Sequence, residues 1–150
     1  MTSVAMSGVF ICAALETQYI VYNMETMTTT PLFPIDPSAA ILPNIISINS
    51  DEFLIQAPGN LGMFVTSAGV AGRPPLQWSS SVSQVTYSPP HLICLESEMV
   101  SVYDVTDQVK KQGVSFRGAK YAEVCDGHIL VSSSVSVQVR DSNGILCHRD

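Results

Sequence analysis

What the sequence lacks narrows its possibilities first. Charge is scarce: Asp, Glu, Lys and Arg make up 13% of 150 residues, and no Lys or Arg precedes Arg73. Seven basic residues stand against thirteen acidic ones, a net charge of -6. Phosphate backbones and acidic lipids are bound by clustered cations, so nucleic-acid binding and a polybasic membrane face are excluded as the main activity. Long apolar runs are also missing. The longest, Val9 to Leu15, spans seven residues, where a membrane helix needs about 20. Residues 1–8 carry no Lys or Arg, so the basic start of a secretory signal is absent. None of Asn23, Asn44, Asn49, Asn60 and Asn143 opens an Asn-x-Ser/Thr glycosylation acceptor. The four cysteines, Cys12, Cys94, Cys125 and Cys147, are scattered. They read as reduced thiols of a cytosolic core.

Amphipathic helices are missing as well. Nine Pro and nine Gly interrupt the chain, and Val105 to Gly113 has room for a helical turn at most. What the sequence does have is apolar residues, 46% of the chain, enough to build a core. They fall in a repeating unit: a short apolar run, a polar turn and a second apolar run. The first unit is Phe10–Leu15 and Tyr19–Tyr22 around Glu16-Thr17-Gln18. The second is Phe53–Ile55 and Leu61–Val65 around Ala57-Pro58-Gly59-Asn60. The third is Leu92–Leu95 and Met99–Tyr103 around Glu96-Ser97-Glu98. The fourth is Ile129–Val131 and Val135–Val139 around Ser132-Ser133-Ser134.

The opening residues Phe10, Phe53, Leu92 and Ile129 stand 43, 39 and 37 positions apart. Val, Ile, Phe and Tyr enrich these runs, and Val135, Val137 and Val139 alternate with Ser136, Gln138 and Arg140, a period of two. Several short strands repeating about every forty residues are the mark of a β-propeller blade. Further strands are expected at Ser83–Tyr87, before the Pro89-Pro90 turn, and at Ala119–Val124, before Asp126-Gly127. Pro75–Trp78 and Gly144–Cys147 are expected to close the second and fourth units. A β-sandwich is the alternative, but it gives no reason for hairpins at even spacing.

The fold class expected is therefore all-β: a partial propeller of about three to four blades of antiparallel strands, forming an arc of a larger ring. Residues 1–150 are read as one partial propeller domain, a fragment, because Met1 stands almost inside a hairpin with no inner strand before it. An open arc leaves its end blades uncovered, so self-association is expected.

No constellation for catalysis, cofactor or metal binding emerges. His91/Cys94 and Cys125/His128 supply four possible zinc ligands, but spacing three on a strand places side chains on opposite faces. Core cysteines and loop histidines are the simpler reading, and the adjacent Cys147-His148 adds no paired spacing. There is no Gly-x-Ser-x-Gly elbow. The runs Ser79–Ser81 and Ser132–Ser134 read as turns. Gly69–Arg73 lacks the Gly-Lys-Ser/Thr ending of a phosphate loop. Asp51-Glu52 and Glu96/Glu98 read as solvated turn carboxylates, Lys110-Lys111 as a short charged turn, and Trp78 as a core or blade-rim aromatic.

Ordered words across the chain carry a resemblance. Thr17–Asn23, Leu32-Phe33-Pro34, Asp51–Ile55, Pro58–Phe64, Pro75-Leu76-Gln77-Trp78 and Pro89–Leu95 together resemble the second half of a citron homology (CNH) domain, in the branch of Vps-type subunits of endolysosomal tethering complexes. The likeness spans about residues 5–135, and the Pro-x-x-Trp and Pro-Pro-x-apolar-apolar words are its most specific parts. It implies a propeller that binds proteins without catalysis or cofactor, within a tether of the CORVET type that works on early endosomes before fusion. The partners it implies are other tether subunits, Rab-type small GTPases, transforming-growth-factor-beta receptors and Smad proteins. The location implied is cytoplasmic and peripheral on early endosomes, through partners only. The alternative in another class is a CNH regulatory region that binds a small GTPase beside a kinase or exchange-factor domain.

Overall fold

A computed structural model describes residues 3–38, 43–133, 137–140 and 146–149, the last two segments as backbone. The described residues form sixteen β-strands and no helix. They fall into four four-stranded sheets, each an antiparallel meander in chain order. The first holds β1 (Ser3–Ser7), β2 (Phe10–Ala14), β3 (Gln18–Asn23) and β4 (Thr28–Pro34). The second holds β5 (Ile45–Asn49), β6 (Glu52–Ala57), β7 (Leu61–Thr66) and β8 (Leu76–Gln77). The third holds β9 (Val82–Ser88), β10 (His91–Glu96), β11 (Met99–Asp104) and β12 (Lys110–Ser115). The fourth holds β13 (Ala119–Cys125), β14 (His128–Ser133), β15 (Val137–Arg140) and β16 (Leu146–Arg149).

The repeating hairpins are the two central strands of each meander: β2–β3, β6–β7, β10–β11 and β14–β15. The strands expected around residues 83–87, 119–124 and 75–78 are β9, β13 and β8. The fourth closing strand is β16, shifted to Leu146–Arg149; Gly144 and Ile145 lie outside the described residues, as do Ser134 to Ser136. Four separate small sheets exclude the two facing layers of a sandwich.

Three expectations need correction. The first meander does have its inner strand, β1, paired with β2 along five residues from Ser3↔Ala14 to Ser7↔Phe10. Its polarity hid it, because Ala5 and Ser7 turn inward while Val4 and Met6 are 49% and 64% exposed. The large side chains thus advertise the wrong face. Lys110 and Lys111 open strand β12 and are not a turn. Ser132 and Ser133 end strand β14.

The chain divides into two compact units, Met1–Trp78 and Ser79–Asp150. In the first, the inner face of sheet one (Cys12, Ala14, Tyr19, Val21) meets the facing side of sheet two (Ile45, Phe53, Ile55, Val65) in one apolar cluster. Strand β6 is buried at every position, as a strand covered on both faces must be. Tyr19 and Phe33 rings tilt together with centroids 4.9 Å apart. Gly62 in β7 has a steric reason. A Cβ there would stand 2.9 Å from Leu54 Cδ1 and 2.9 Å from Trp78 Cζ2, so the Trp78 ring lies where any larger residue would place its side chain. Trp78 is 2% exposed, a core aromatic. In the second unit Ile93, Leu95 and Val100 of the third sheet pack on Ala122 and Val131 of the fourth. The Asp126-Gly127 turn between β13 and β14 has positive φ at both residues (49° and 75°), the conformation of a tight two-residue hairpin loop.

Apolar contact is not the only tie between neighbouring sheets. The first strand of a meander is a sheet edge, with backbone groups that no neighbouring strand pairs. In both units a side chain from the preceding sheet's first strand supplies the partner. Ser7 Oγ of β1 donates to Asn49 O of β5 at 2.6 Å. Gln84 of β9 clasps Ala122 of β13: its Nε2 donates to Ala122 O at 2.8 Å, and its Oε1 accepts from Ala122 N at 3.1 Å. Thr86 Oγ1 donates to the same carbonyl at 3.0 Å. Tyr19 OH adds a donation from sheet one to Gln56 O in sheet two at 2.9 Å.

Two predictions follow from this packing. Gln84→Leu keeps the side-chain volume but strips the clasp from Ala122, which is 1% exposed. A buried amide left without a partner costs about 1–3 kcal/mol, so denaturant melts should show a loss near 2 kcal/mol. Alkaline pH should also unfold the chain. Burial raises the Cys12 thiol from 9.0 to about 12 and the Tyr19 phenol from 10.0 to about 12. Both groups stay neutral in the folded state at pH values where the unfolded chain ionises them. Their contribution is complete below pH 9 and is lost as pH rises toward 12. Melting temperatures followed by circular dichroism should fall across that window, and Cys12→Ala should flatten the fall.

Candidate interaction cleft

The second unit contains a cleft of about 430 Å³. It opens where the third and fourth sheets end in their first turns, β9–β10 and β13–β14. Its floor is apolar: Ile93 and Val102 from one sheet, Val124 and Ile129 from the other. Ile93 is buried, while the other three are half-buried and so reachable from outside. Register explains the grouping, since Ile93 faces Val102 across β10–β11 and Val124 faces Ile129 across β13–β14. The rim is polar. Ser88, Pro89, Pro90 and His91 form one side, Lys111 and Gln112 another, and Gly127 the third.

The rim's charge is already balanced. Lys111 Nζ pairs with Asp107, four residues before it. That bond, with the Val109 N–H, holds the Asp107 carboxyl below its ordinary range, and Asp107 holds Lys111 above its own. Asp104 is lowered by the Thr106 N–H. A ligand therefore meets little net charge here. It meets an apolar floor with His91 and Gln112, both exposed, as hydrogen-bonding groups at the edge. This combination suits an extended peptide that inserts an apolar side chain and offers its backbone to the rim. Ser88 and His91 are register partners across the turn.

The residues weighed for metal binding are not assembled. Cys94 is fully buried in β10 while His91 is exposed, on the opposite side of the strand. Cys125 faces His128 across the tight turn, with His128 Nδ1 2.9 Å from Asp126 O. Among the described residues no group of three metal-ligating side chains forms. Ser79 and Ser80 lie in a bend between the second and third sheets.

The carboxylates require a correction. Asp51 and Glu98 are exposed as expected, but Glu52 and Glu96 are only 8% and 4% exposed. Both are fully engaged. Glu52 holds the Arg73 guanidinium through both oxygens, with Nε donating to Oε1 at 2.9 Å, and also accepts from Asn49 Nδ2. Arg73 in turn lies 4.2 Å above the Phe64 ring. Glu96 accepts from Tyr103 OH at 3.0 Å and Ser80 Oγ at 3.1 Å, with Lys110 Nζ at 4.0 Å. Burial first, and then the hydrogen bond to Glu96 and its charge, raise the Tyr103 phenol above its usual range, against the lowering effect of Ser79. Each glutamate is tied to its own set of partners, the arrangement of a structural ion pair. Several cleft residues carry other readings in the sequence, His91 as a possible metal ligand, Lys111 as part of a charged turn and Ile129 as the opening of a repeat, and none of those readings groups them. The two turns that frame it, Pro89-Pro90 and Asp126-Gly127, were the available signal, since both close a first hairpin and so fall at the same end of successive meanders.

No family model matches the sequence. Curated relatives do. The chain is 37% identical over 137 residues to transforming growth factor-beta receptor-associated protein 1 of Homo sapiens, covering 91% of this chain and 16% of that protein. The Danio rerio homolog is 36% identical over 135 residues, with 90% and 16% covered. Among solved structures the AfRom2 CNH domain superposes with a TM-score of 0.63 at 16% identity, covering 99% of this chain and 50% of that chain. The computationally designed Ika4 protein gives 0.68 at 11% identity, covering 92% and 88%. Kluyveromyces lactis Hsv2 gives 0.62 at 9%, covering 93% and 45%. The four meanders therefore define an all-β propeller segment with the fold of a citron homology domain. In sequence that segment is a relative of transforming growth factor-beta receptor-associated protein 1, and it spans 16% of the length of the curated relatives it matches.

The Glu52–Arg73 pair generates a mutational expectation. Arg73→Ala leaves a carboxylate in a largely dry site, which costs about 2–4 kcal/mol for a pair this buried. Arg73→Ala with Glu52→Gln removes the stranded charge and should recover part of that loss in denaturant melts.

Proposed function

We propose that the chain serves as a non-catalytic protein-interaction module in endosomal vesicle tethering and receptor trafficking, as one part of a propeller domain. The observation that carries this reading is the 37% identity, over 91% of the chain, to a protein named for its association with transforming growth factor-beta receptors. That relationship favours trafficking over a regulatory domain beside a kinase or exchange factor. The cleft of the second unit fits the same role, with an apolar floor and an uncharged hydrogen-bonding rim suited to a partner's extended segment. In this reading the partners are other tether subunits, a Rab-type small GTPase, and transforming-growth-factor-beta receptors with their Smad proteins. The chain then reaches early endosomes from the cytoplasm through these partners and not through lipid contact.

The test is proximity labelling in cells that express the tagged chain, with microscopy of early endosomes. Enrichment of tether subunits or receptor chains together with endosomal puncta is expected. Val102→Arg, which fills the half-buried floor of the cleft, should lower that recovery at least tenfold while leaving the circular dichroism spectrum unchanged. Diffuse staining with no enrichment over a labelling control would overturn the tethering role. Enrichment that Val102→Arg leaves intact would move the contact away from the cleft.

A further inference from the structure

The charge balance of the cleft leaves one carboxylate over. Asp104 follows Val102 by two residues along β11, so both project from the face that lines the cleft. Register agrees: Asp104 is paired with His91 as Val102 is with Ile93, and His91 and Ile93 both line the cleft. Asp104 therefore stands at the mouth, one step outward from the apolar floor. It is half-buried, and the Thr106 N–H donates to its Oδ1 at 2.7 Å, which fixes the carboxylate and keeps it ionised. The charged residues of this wall are Asp104, Asp107 and Lys111, with His91 beside them. Lys111 is committed to Asp107, so the negative charge of Asp104 is in surplus. On the facing wall Asp126 precedes Gly127, and Arg140 is the register partner of Ile129, one residue of each sign.

We propose that the cleft takes an extended segment of a partner protein in which a basic residue stands two positions from an aliphatic one. The proposal rests on the cleft being the contact named above and adds the chemistry of what fills it. Geometry sets the spacing. Val102 and Asp104 lie about 6.6 Å apart along one face of β11. An extended segment that follows β11 has the same spacing between its own side chains on one face. An aliphatic side chain over the half-buried Val102 thus brings the residue two positions along over Asp104. Charge sets the identity of that residue. Lys or Arg meets the surplus carboxylate there, whereas Asp or Glu meets like charge. Arg suits the place best, since its stem covers apolar surface while its guanidinium reaches a carboxylate with two donors. At longer range the net charge of -6 attracts basic segments and repels acidic ones.

Nuclear magnetic resonance titration of the isotope-labelled chain, which reads weak binding, provides the test. The probes are capped peptides. Gly-Arg-Ser-Leu-Ser-Arg-Gly presents the basic residue in either chain direction, Gly-Glu-Ser-Leu-Ser-Glu-Gly reverses the charge, and Gly-Ser-Ser-Leu-Ser-Ser-Gly removes it. The Arg peptide is expected to shift the amides of Ile93, Val102 and Ile129 and to bind at least tenfold tighter than the Glu peptide. Salt raised from about 50 mM to 500 mM should narrow that gap. Asp104→Asn keeps the acceptor for Thr106 and removes the charge. It should weaken the Arg peptide about threefold, the worth of an exposed ion pair, and leave the uncharged peptide unchanged. Glu98→Gln, at an exposed position at the other end of the third sheet, should change neither. Equal binding of the Arg and Glu peptides overturns the basic-partner proposal and leaves the cleft reading standing. So does an Arg preference that Asp104→Asn leaves intact. If no peptide shifts the three amides, the cleft reading falls with it.

Discussion

A four-stranded meander with apolar residues at alternate positions cannot stand alone in water. It must cover at least one face with another sheet, and that requirement organises each unit of this chain. Tyr19, Val21 and Cys12 are buried because Phe53, Ile55 and Ile45 face them, and Ile93 and Leu95 because Ala122 and Val131 do. In the second and third sheets the second strand bears the heaviest load. It lies inside its sheet, and in β6 and β10 it is buried on both faces, which is why those strands read as nearly unbroken apolar runs.

The same requirement decides what could be read from sequence. Central hairpins announce themselves because burial on two faces demands Phe, Leu, Ile and Val in short runs, and the spacing of Phe10, Phe53, Leu92 and Ile129 follows from it. Inner and outer strands are covered on one face or less, and their signal is weaker. In β1 it is inverted, with Met6 and Val4 outward and Ala5 and Ser7 inward. Glu52 and Glu96 sit at strand ends that look like turns. Their burial depends on Arg73, 21 residues away, and on Tyr103 and Ser80, which no local pattern connects. The cleft was illegible for the same reason. Val102 and Ile129 belong to different meanders, and only sheet-on-sheet packing brings them to one floor.

The function is legible at a coarser level than the fold. Identity over nine-tenths of the chain joins it to receptor-associated proteins, while fold likeness at 9–16% identity speaks only to architecture. Between these lies the chemistry of the surface. The buried carboxylates are tied into ion pairs and hydrogen bonds, the thiols Cys12 and Cys94 are enclosed, and the accessible features are an apolar cleft and an apolar sheet face.

The side-chain clasps between first strands have a consequence for how such a chain tolerates change. Greasy sheets could slide past one another by a residue pair with little loss, but Gln84 can grip Ala122, and Ser7 the Asn49 carbonyl, at one offset only. Strand lengths are thereby frozen near the inner edge, and any insertion or deletion is pushed outward into connecting loops. The uneven spacing of the hairpins, 43, 39 and 37 residues, fits that constraint: a fixed inner geometry with its slack placed in the connecting segments.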